Sequence, residues 1–146
     1  MKIRNKKFIY LISPNKIINK SFYNILDIVF KSKKVKFFQL RLKKESVKKK
    51  VIIGKKILQI CKKNKVKLII NDDPNLALKV NAHGCHLGQK DMNINDARKL
   101  LKKKIIGITC HNSIKLAKLA DKDGADYLAL GAFNSSKTKK VKYRAD

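Results

Sequence analysis

Acidic residues are scarce in this chain. Ten Asp and Glu stand against 37 Lys and Arg in 146 residues, a formal net charge of +27. Arginine is scarce too, at four positions only: Arg4, Arg41, Arg98 and Arg144. Arginine is the side chain that reads base edges and grips phosphate bidentately. The excess charge is lysine, scattered through every helical segment beside abundant Asn and Ile. That is the pattern of solvent-facing positions filled by a compositional bias. An aromatic stacking platform and a recognition-helix signature are both missing, so no specific nucleic-acid partner is expected. A general attraction to anions follows in either case.

Long apolar runs are also missing. None approaches the roughly 18 residues of a spanning helix, and no membrane partner is expected. The start, MKIRNKK followed by FIYLIS, has an apolar core of only six residues before Ser13-Pro14. A secretory core usually runs ~7–15 residues and ends in a small-residue cleavage site. The segment is read as a first strand and the protein as cytoplasmic. Cys61, Cys85 and Cys110 are odd in number and form no C-x-x-C pair, which predicts reduced thiols. A zinc site from His83, Cys85, His86, Cys110 and His111 is the rival reading. Against it, Cys85 and His86 are neighbours on an expected strand and would face opposite sides. There is no G-x-G-x-x-G and no G-x-x-x-x-G-K-[ST], so neither a dinucleotide fold nor a P-loop is supported.

What is present is a regular alternation of short apolar strands and amphipathic helices. Strands are expected over residues 8–13, 36–41, 67–71, 84–87, 105–109 and 127–131. The helix from Ser21 carries Phe22, Ile25, Leu26, Val29 and Phe30 on one face. Ser46 is placed to cap a helix reaching about Lys63, with Val47, Val51, Gly54, Leu58 and Cys61 as its apolar stripe. Further helices are expected around residues 76–80, over 94–101 and over 113–123, with Gly124 just past the last turn. Short βα units without a linker imply one domain over residues 1–146, with parallel strands and right-handed crossovers. Gly84, Gly88, Gly107 and Gly131 fall at strand ends, where backbone turns or approaches a ligand. Polar side chains recur at the ends of strands two to six. That distribution fits a TIM-like (β/α)8 barrel better than a doubly wound sheet, whose ligands gather at one switch point.

Residues 68–91 stand out, because they hold three of the ten carboxylates: Asp72, Asp73 and Asp91. Two apolar runs there each end in polar groups, Asn71-Asp72 and Gly88-Gln89-Lys90-Asp91. Ligands of parallel α/β proteins bind at the carboxyl ends of strands. Two acids at that end, amid so much positive charge, suggest magnesium shared with a polyphosphate. The competing reading is that Asp72 and Asp91 cap the helices that follow. On the second strand, Gln39, Arg41 and Lys43 occupy alternate positions and can point the same way, toward one ligand.

These residues resemble the thiamine-phosphate synthase family. The resemblance is carried by Gln39-Leu40-Arg41-Leu42-Lys43, Ile70-Asn71-Asp72 and His86-Leu87-Gly88-Gln89-Lys90-Asp91. It continues through Gly107-Ile108-Thr109-Cys110-His111 and Gly124-Ala125-Asp126-Tyr127, and on to Ser136-Lys137-Thr138-Lys139-Lys140. All lie in the family's order and spacing, and H-L-G-Q-x-D is the most specific.

The resemblance implies a TIM barrel and a transferase of thiamine biosynthesis. Such an enzyme couples 4-amino-2-methyl-5-(diphosphooxymethyl)pyrimidine to hydroxyethylthiazole phosphate and releases diphosphate. It implies a pyrimidine-diphosphate site made by Gln39, Leu40, Arg41, Leu42, Lys43, Asn71, Thr109 and Lys139. Arg41, Lys43 and Lys139 would be the catalytic cations holding the diphosphate. Asp72 and Asp91 would bind Mg2+, and Ser136, Lys137 and Thr138 the thiazole phosphate. The implied partners are these small molecules. His86 and His111 also match the family pattern and are read as packing or hydrogen-bonding groups.

The chain departs from the family in places. Leu42 stands where Glu is usual, Thr109 where Ser is common, His83 where Asp is common and Ser136 where Thr is usual. Asn134-Ser135 replace a bulkier loop. The sequence stops after six βα units, whereas a complete barrel has eight and on the order of 200 residues or more. A fragment, a degenerate copy and a chain that completes its barrel as a homo-oligomer all remain open. Two exposed apolar strand edges are expected. Weak or absent synthase activity is expected if this is the entire polypeptide. The alternatives are an inactive phosphometabolite-binding remnant and a thiazole tautomerase-like protein. The paired acids speak against the latter, since such relatives tend to lack them.

Overall fold

A computed structural model of the chain describes residues 7–134 and 142–144. Its elements alternate without exception: β1 (Ile9–Ile12), α1 (Ser21–Lys31), β2 (Val35–Leu40), α2 (Val47–Lys63), β3 (Lys67–Asn71), α3 (Pro74–Val80), β4 (Gly84–Leu87), α4 (Ile94–Leu101), β5 (Ile105–His111), α5 (Ile114–Lys122) and β6 (Tyr127–Leu130). Every neighbouring pair of strands is parallel, and the sheet order is the chain order, β1-β2-β3-β4-β5-β6. A doubly wound sheet would reverse its order at a switch point. Here each crossover advances in the same direction, so all the helices lie on one face and the sheet curls away from them. The result is a TIM-barrel-like arc of six strands.

All the helices but α1, which follows Lys20, begin where the sequence supplies a capping oxygen. Ser46 accepts the Lys49 N–H at 3.3 Å, Asp73 accepts that of Leu76 at 2.9 Å, and Asn93 accepts that of Asp96 at 2.9 Å. Ser113 does the same for Leu116 at 3.2 Å. Each replaces water on an amide that has no partner within its helix. Gly124 follows α5 at φ +85°, the left-handed backbone that glycine adopts without strain.

Strand alternation splits the side chains into two sets. Phe38, Leu40, Leu68, Ile70, Cys85, Leu87, Ile106, Ile108 and Cys110 point outward and form one core with the helices. Burial pushes the Cys61 thiol up to about 12 and raises those of Cys85 and Cys110, so all three stay protonated and inert. Cys85 packs in this outer core while the His86 ring bonds groups on the concave side. The two cannot turn to a common metal.

Helix faces differ from the expected stripes at the margins. On α2, Ile53 and Ile57 join Gly54, Leu58 and Cys61 in burial, while Val47 in the first turn is left at the surface. On α1, Leu26 and Phe30 are buried but Ile25 and Val29 are exposed. That helix covers the margin of the sheet and leans on α2, so only part of its apolar face is screened. Phe8, Ile9 and Ile12 at the first edge, and Leu128, Leu130 and Phe133 at the last, are likewise exposed. No helix among the described residues is long and apolar enough to cross a membrane.

Candidate active site at the carboxyl ends of the strands

The register sets Asn71, His86, Gly107 and Tyr127 side by side across β3, β4, β5 and β6. A β-carbon on Gly107 would overlap the Tyr127 ring. Glycine there lets the Tyr127 ring cross β5 and stack on His86, with ring centroids 5.5 Å apart. Gly107 is thus internal to β5, not at its end, and serves close approach. A chain of hydrogen bonds lines the concave face. Gln39 Nε2 donates to the Tyr10 hydroxyl at 2.9 Å, and Tyr10 meets the Tyr127 hydroxyl at 2.6 Å. Tyr127 meets His86 Nδ1 at 2.9 Å, and His86 Nε2 meets Thr109 Oγ1 at 2.9 Å. Burial raises both phenols above their ordinary range, so both stay neutral.

Above this layer, β3 ends at Asn71 and the backbone turns at Asp72 with φ +64°. The Asp72 N–H donates to the His86 carbonyl at 2.7 Å, which carries the β3–β4 ladder one step further. Asp72 therefore does not cap α3; its neighbour Asp73 does. Asp91 does not cap α4 either, since Asn93 holds that place. The Asp91 carboxylate accepts the Gly88 N–H at 2.7 Å and closes the turn after β4. Gln89 ties the same turn to β5, donating to the Thr109 carbonyl at 2.6 Å. The helix-cap reading of Asp72 and Asp91 is thereby set aside.

The two carboxyl groups face each other. Burial and the charge of Asp91 raise the Asp72 carboxyl, and Lys43 and the hydrogen bond from Asn71 pull it back. Two acids turned together against their own repulsion suit a hard divalent cation that keeps waters and phosphate oxygens as its other ligands. Beside them lies a cleft of about 260 Å³ lined by Leu40, Leu42, Lys43, Lys50, Asn71 and Asp72. Lys50 was not among the residues singled out in the sequence. The signal was present, because Ser46 caps α2 and Lys50 lies one turn into the end that faces the strand termini.

The other expected site residues divide. β2 ends at Leu40, one residue short of the expectation, so Arg41 and Lys43 lie in the loop that follows it. The Arg41 backbone N–H donates to Ser13 Oγ at 2.8 Å, and its guanidinium donates to the Asn15 side chain. Leu40 and Leu42 are buried and wall the cleft. His111 turns at φ +54° and packs on Tyr143, with ring centroids 4.3 Å apart. Ser136, Lys137, Thr138 and Lys139 lie outside the described residues.

Comparison with known proteins agrees with this fold. Residues 9–146 match the family model described as Thiamine monophosphate synthase. The thiamine-phosphate synthase of Pelagibacter ubique is 69% identical over 141 residues, which is 97% of this chain and 68% of that protein. The chain belongs to the thiamine monophosphate synthase family. The thiamine-phosphate synthase of Rhodospirillum centenum is 37% identical over 142 residues, 94% of this chain and 67% of its own length. The family fold is also that of a solved structure, the thiamine phosphate pyrophosphorylase from Pyrococcus furiosus. Its TM-score is 0.80 at 27% identity, covering 94% of this chain and 66% of the other. This family member thus spans about two thirds of the length of these three relatives. It spans less of others, such as 46% of the thiamine-phosphate synthase of Marinobacter nauticus.

Proposed function

We propose that the chain is a thiamine-phosphate synthase polypeptide. It would join 4-amino-2-methyl-5-(diphosphooxymethyl)pyrimidine to hydroxyethylthiazole phosphate, giving thiamine phosphate and diphosphate. The observation that carries this reading is the Asp72–Asp91 pair at the strand ends, beside a cleft lined by Lys43, Lys50 and Asn71.

Asp72 and Asp91 would hold magnesium, which when bound supplies positive charge to the departing diphosphate. Lys43, Asn71 and Arg41, with Lys139, would bind the diphosphate oxygens and stabilise their growing charge. Lys50 would add a further cation from α2. Gln39 and Thr109 would contact the pyrimidine, and Ser136, Lys137 and Thr138 the thiazole phosphate. The methylene–oxygen bond breaks and its electron pair leaves with diphosphate. The electron-rich aminopyrimidine supports the positive methylene until the thiazole nitrogen forms the new carbon–nitrogen bond. No side-chain nucleophile is consumed. The substrates are small molecules, and an enzyme of this kind is expected to work in the cytoplasm.

The test is diphosphate release by the purified chain on mixing both substrates with magnesium. Release that disappears in an Asp72→Asn, Asp91→Asn double variant supports the reading. Release that ignores magnesium and both substitutions contradicts it.

A further inference from the structure

We propose that Tyr10, Tyr127 and His86 are positioning residues that form a one-way hydrogen-bond relay, presenting Thr109 to the aminopyrimidine as a donor and Gln39 as an acceptor. The inference deepens the proposed function and rests on it.

The direction follows from the orientation of the Gln39 amide, whose nitrogen faces Tyr10, together with a count of hydrogens. A glutamine Nε2 can only donate, so the Tyr10 oxygen accepts at 2.9 Å. Tyr10 then has one hydrogen to place, and the Tyr127 oxygen lies 2.6 Å away. Tyr127 passes its own hydrogen to His86 Nδ1 at 2.9 Å, which must be the bare nitrogen. A neutral imidazole bare at Nδ1 carries its proton on Nε2, and that proton meets Thr109 Oγ1 at 2.9 Å. With this oxygen accepting from His86, the Thr109 hydroxyl hydrogen is left to donate to a ligand. At the other end, a Gln39 amide held by its nitrogen offers its carbonyl oxygen as the acceptor.

The opposite order fails at Tyr10. With the Gln39 nitrogen facing it, its oxygen would accept from both Gln39 and Tyr127, and neither of these two partners could take its own hydrogen. Such a buried hydroxyl would lose a bond that the first order makes.

An aminopyrimidine needs both kinds of partner. Its exocyclic amine donates and its ring nitrogens accept. The relay fixes which end of the site offers which, although Gln39 and Thr109 sit on strands three places apart in the sheet. Gly107 is what makes the relay possible, since only a missing side chain on β5 lets Tyr127 reach His86.

Two measurements on the full chain test this. The first is the 15N spectrum of the histidine rings, with His86 assigned by its loss in His86→Asn. A bare Nδ1 and a protonated Nε2 are expected, and the other tautomer overturns the relay. The second is calorimetric binding of pyrimidine diphosphate and, separately, of inorganic diphosphate, both with magnesium, to wild type and Tyr127→Phe. This variant keeps the ring over Gly107 and removes only the hydroxyl.

Pyrimidine diphosphate should bind about tenfold more weakly to Tyr127→Phe, with inorganic diphosphate unchanged. Tyr10→Phe should show the same selective loss, and it serves as the test if Tyr127→Phe does not fold. Equal loss for both ligands, or no loss for either, overturns the inference while leaving the proposed function standing. A folded wild type that binds neither ligand overturns the proposed function, and the relay's role with it.

Discussion

Tyr10 on β1 and Tyr127 on β6 share a hydrogen bond of 2.6 Å across 117 residues of chain. The first and last strands of the arc are thus joined through their concave face. Tyr127 can reach across only because Gly107 leaves room beneath its ring. Replacing Gly107 with alanine puts a methyl group into that ring, and relieving such overpacking typically costs about 1–3 kcal/mol. Gly107→Ala should lower the urea midpoint by a corresponding amount. A variant as stable as the wild type would show that the ring does not need this space.

Asp72 carries a repulsion that the fold tolerates. Its carboxyl is raised by burial and by Asp91, so the native state holds this proton more tightly than the unfolded chain does. The favourable share is complete below the ordinary carboxylate value near ~4, and it is lost as pH rises through the folded value. At neutral pH the charge is therefore a cost. Asp72→Asn removes it, and asparagine tolerates the φ of +64° at this position. Without magnesium, the variant should melt at or above the wild-type temperature at pH 7. A clear fall in melting temperature would contradict the repulsion.

His83 works at the opposite end of the sheet. Its Nδ1 accepts the Leu68 N–H at 3.0 Å, which requires an unprotonated nitrogen. Burial lowers its pKa, and Lys67, Lys104 and Lys62 lower it further. A depressed folded pKa means that its stabilisation is present above the unfolded value near ~6.5 and is lost as pH falls through the folded one. His83→Asp supplies an acceptor that stays charged and suits the three lysines. The variant should be more stable than the wild type near pH 5, with the gap narrowing toward pH 7. An equal gap at both values would rule out histidine protonation as its source.

Asp126 joins three parts of the chain. One carboxylate oxygen accepts the Ile106 N–H and an Arg98 Nη2 hydrogen, each at 2.7 Å. The same arginine donates to the carbonyls of Lys102, Lys104 and Gly124. Asp126→Ala strands the Ile106 amide and frees the guanidinium, at a cost of about 1–3 kcal/mol. Chemical denaturation should detect this, and a change below about 0.5 kcal/mol, within the usual range for surface substitutions, would assign the ion pair no structural weight.

The six strands and five helices were legible because the apolar periods and capping residues agreed. β3, β4 and α4 have the bounds that the periodicity gives. Helix faces at the margins were less legible, since periodicity shows which side is apolar but not whether a neighbour covers it. Ile25 and Val29 are the cost of that gap. At the site, the motif residues Asn71, Asp72 and Lys43 line one cleft. Lys50 did not stand out, and Tyr127 did so only as the last residue of the Gly124-Ala125-Asp126-Tyr127 motif, with no role attached to it. One is a lysine among many, and the other gains its place only when the register sets it beside Gly107. Whether Asp72 or Asp73 would cap α3 could not be read from two adjacent aspartates. The left-handed turn at Asp72 decides it.

The most direct test of the account is calorimetric titration of the chain with pyrimidine diphosphate, with and without magnesium. The Asp72→Asn, Asp91→Asn double variant is the control. The account predicts binding that requires magnesium and is lost in the variant. A folded chain that binds no pyrimidine diphosphate, or binds it equally without magnesium and in the variant, would contradict it.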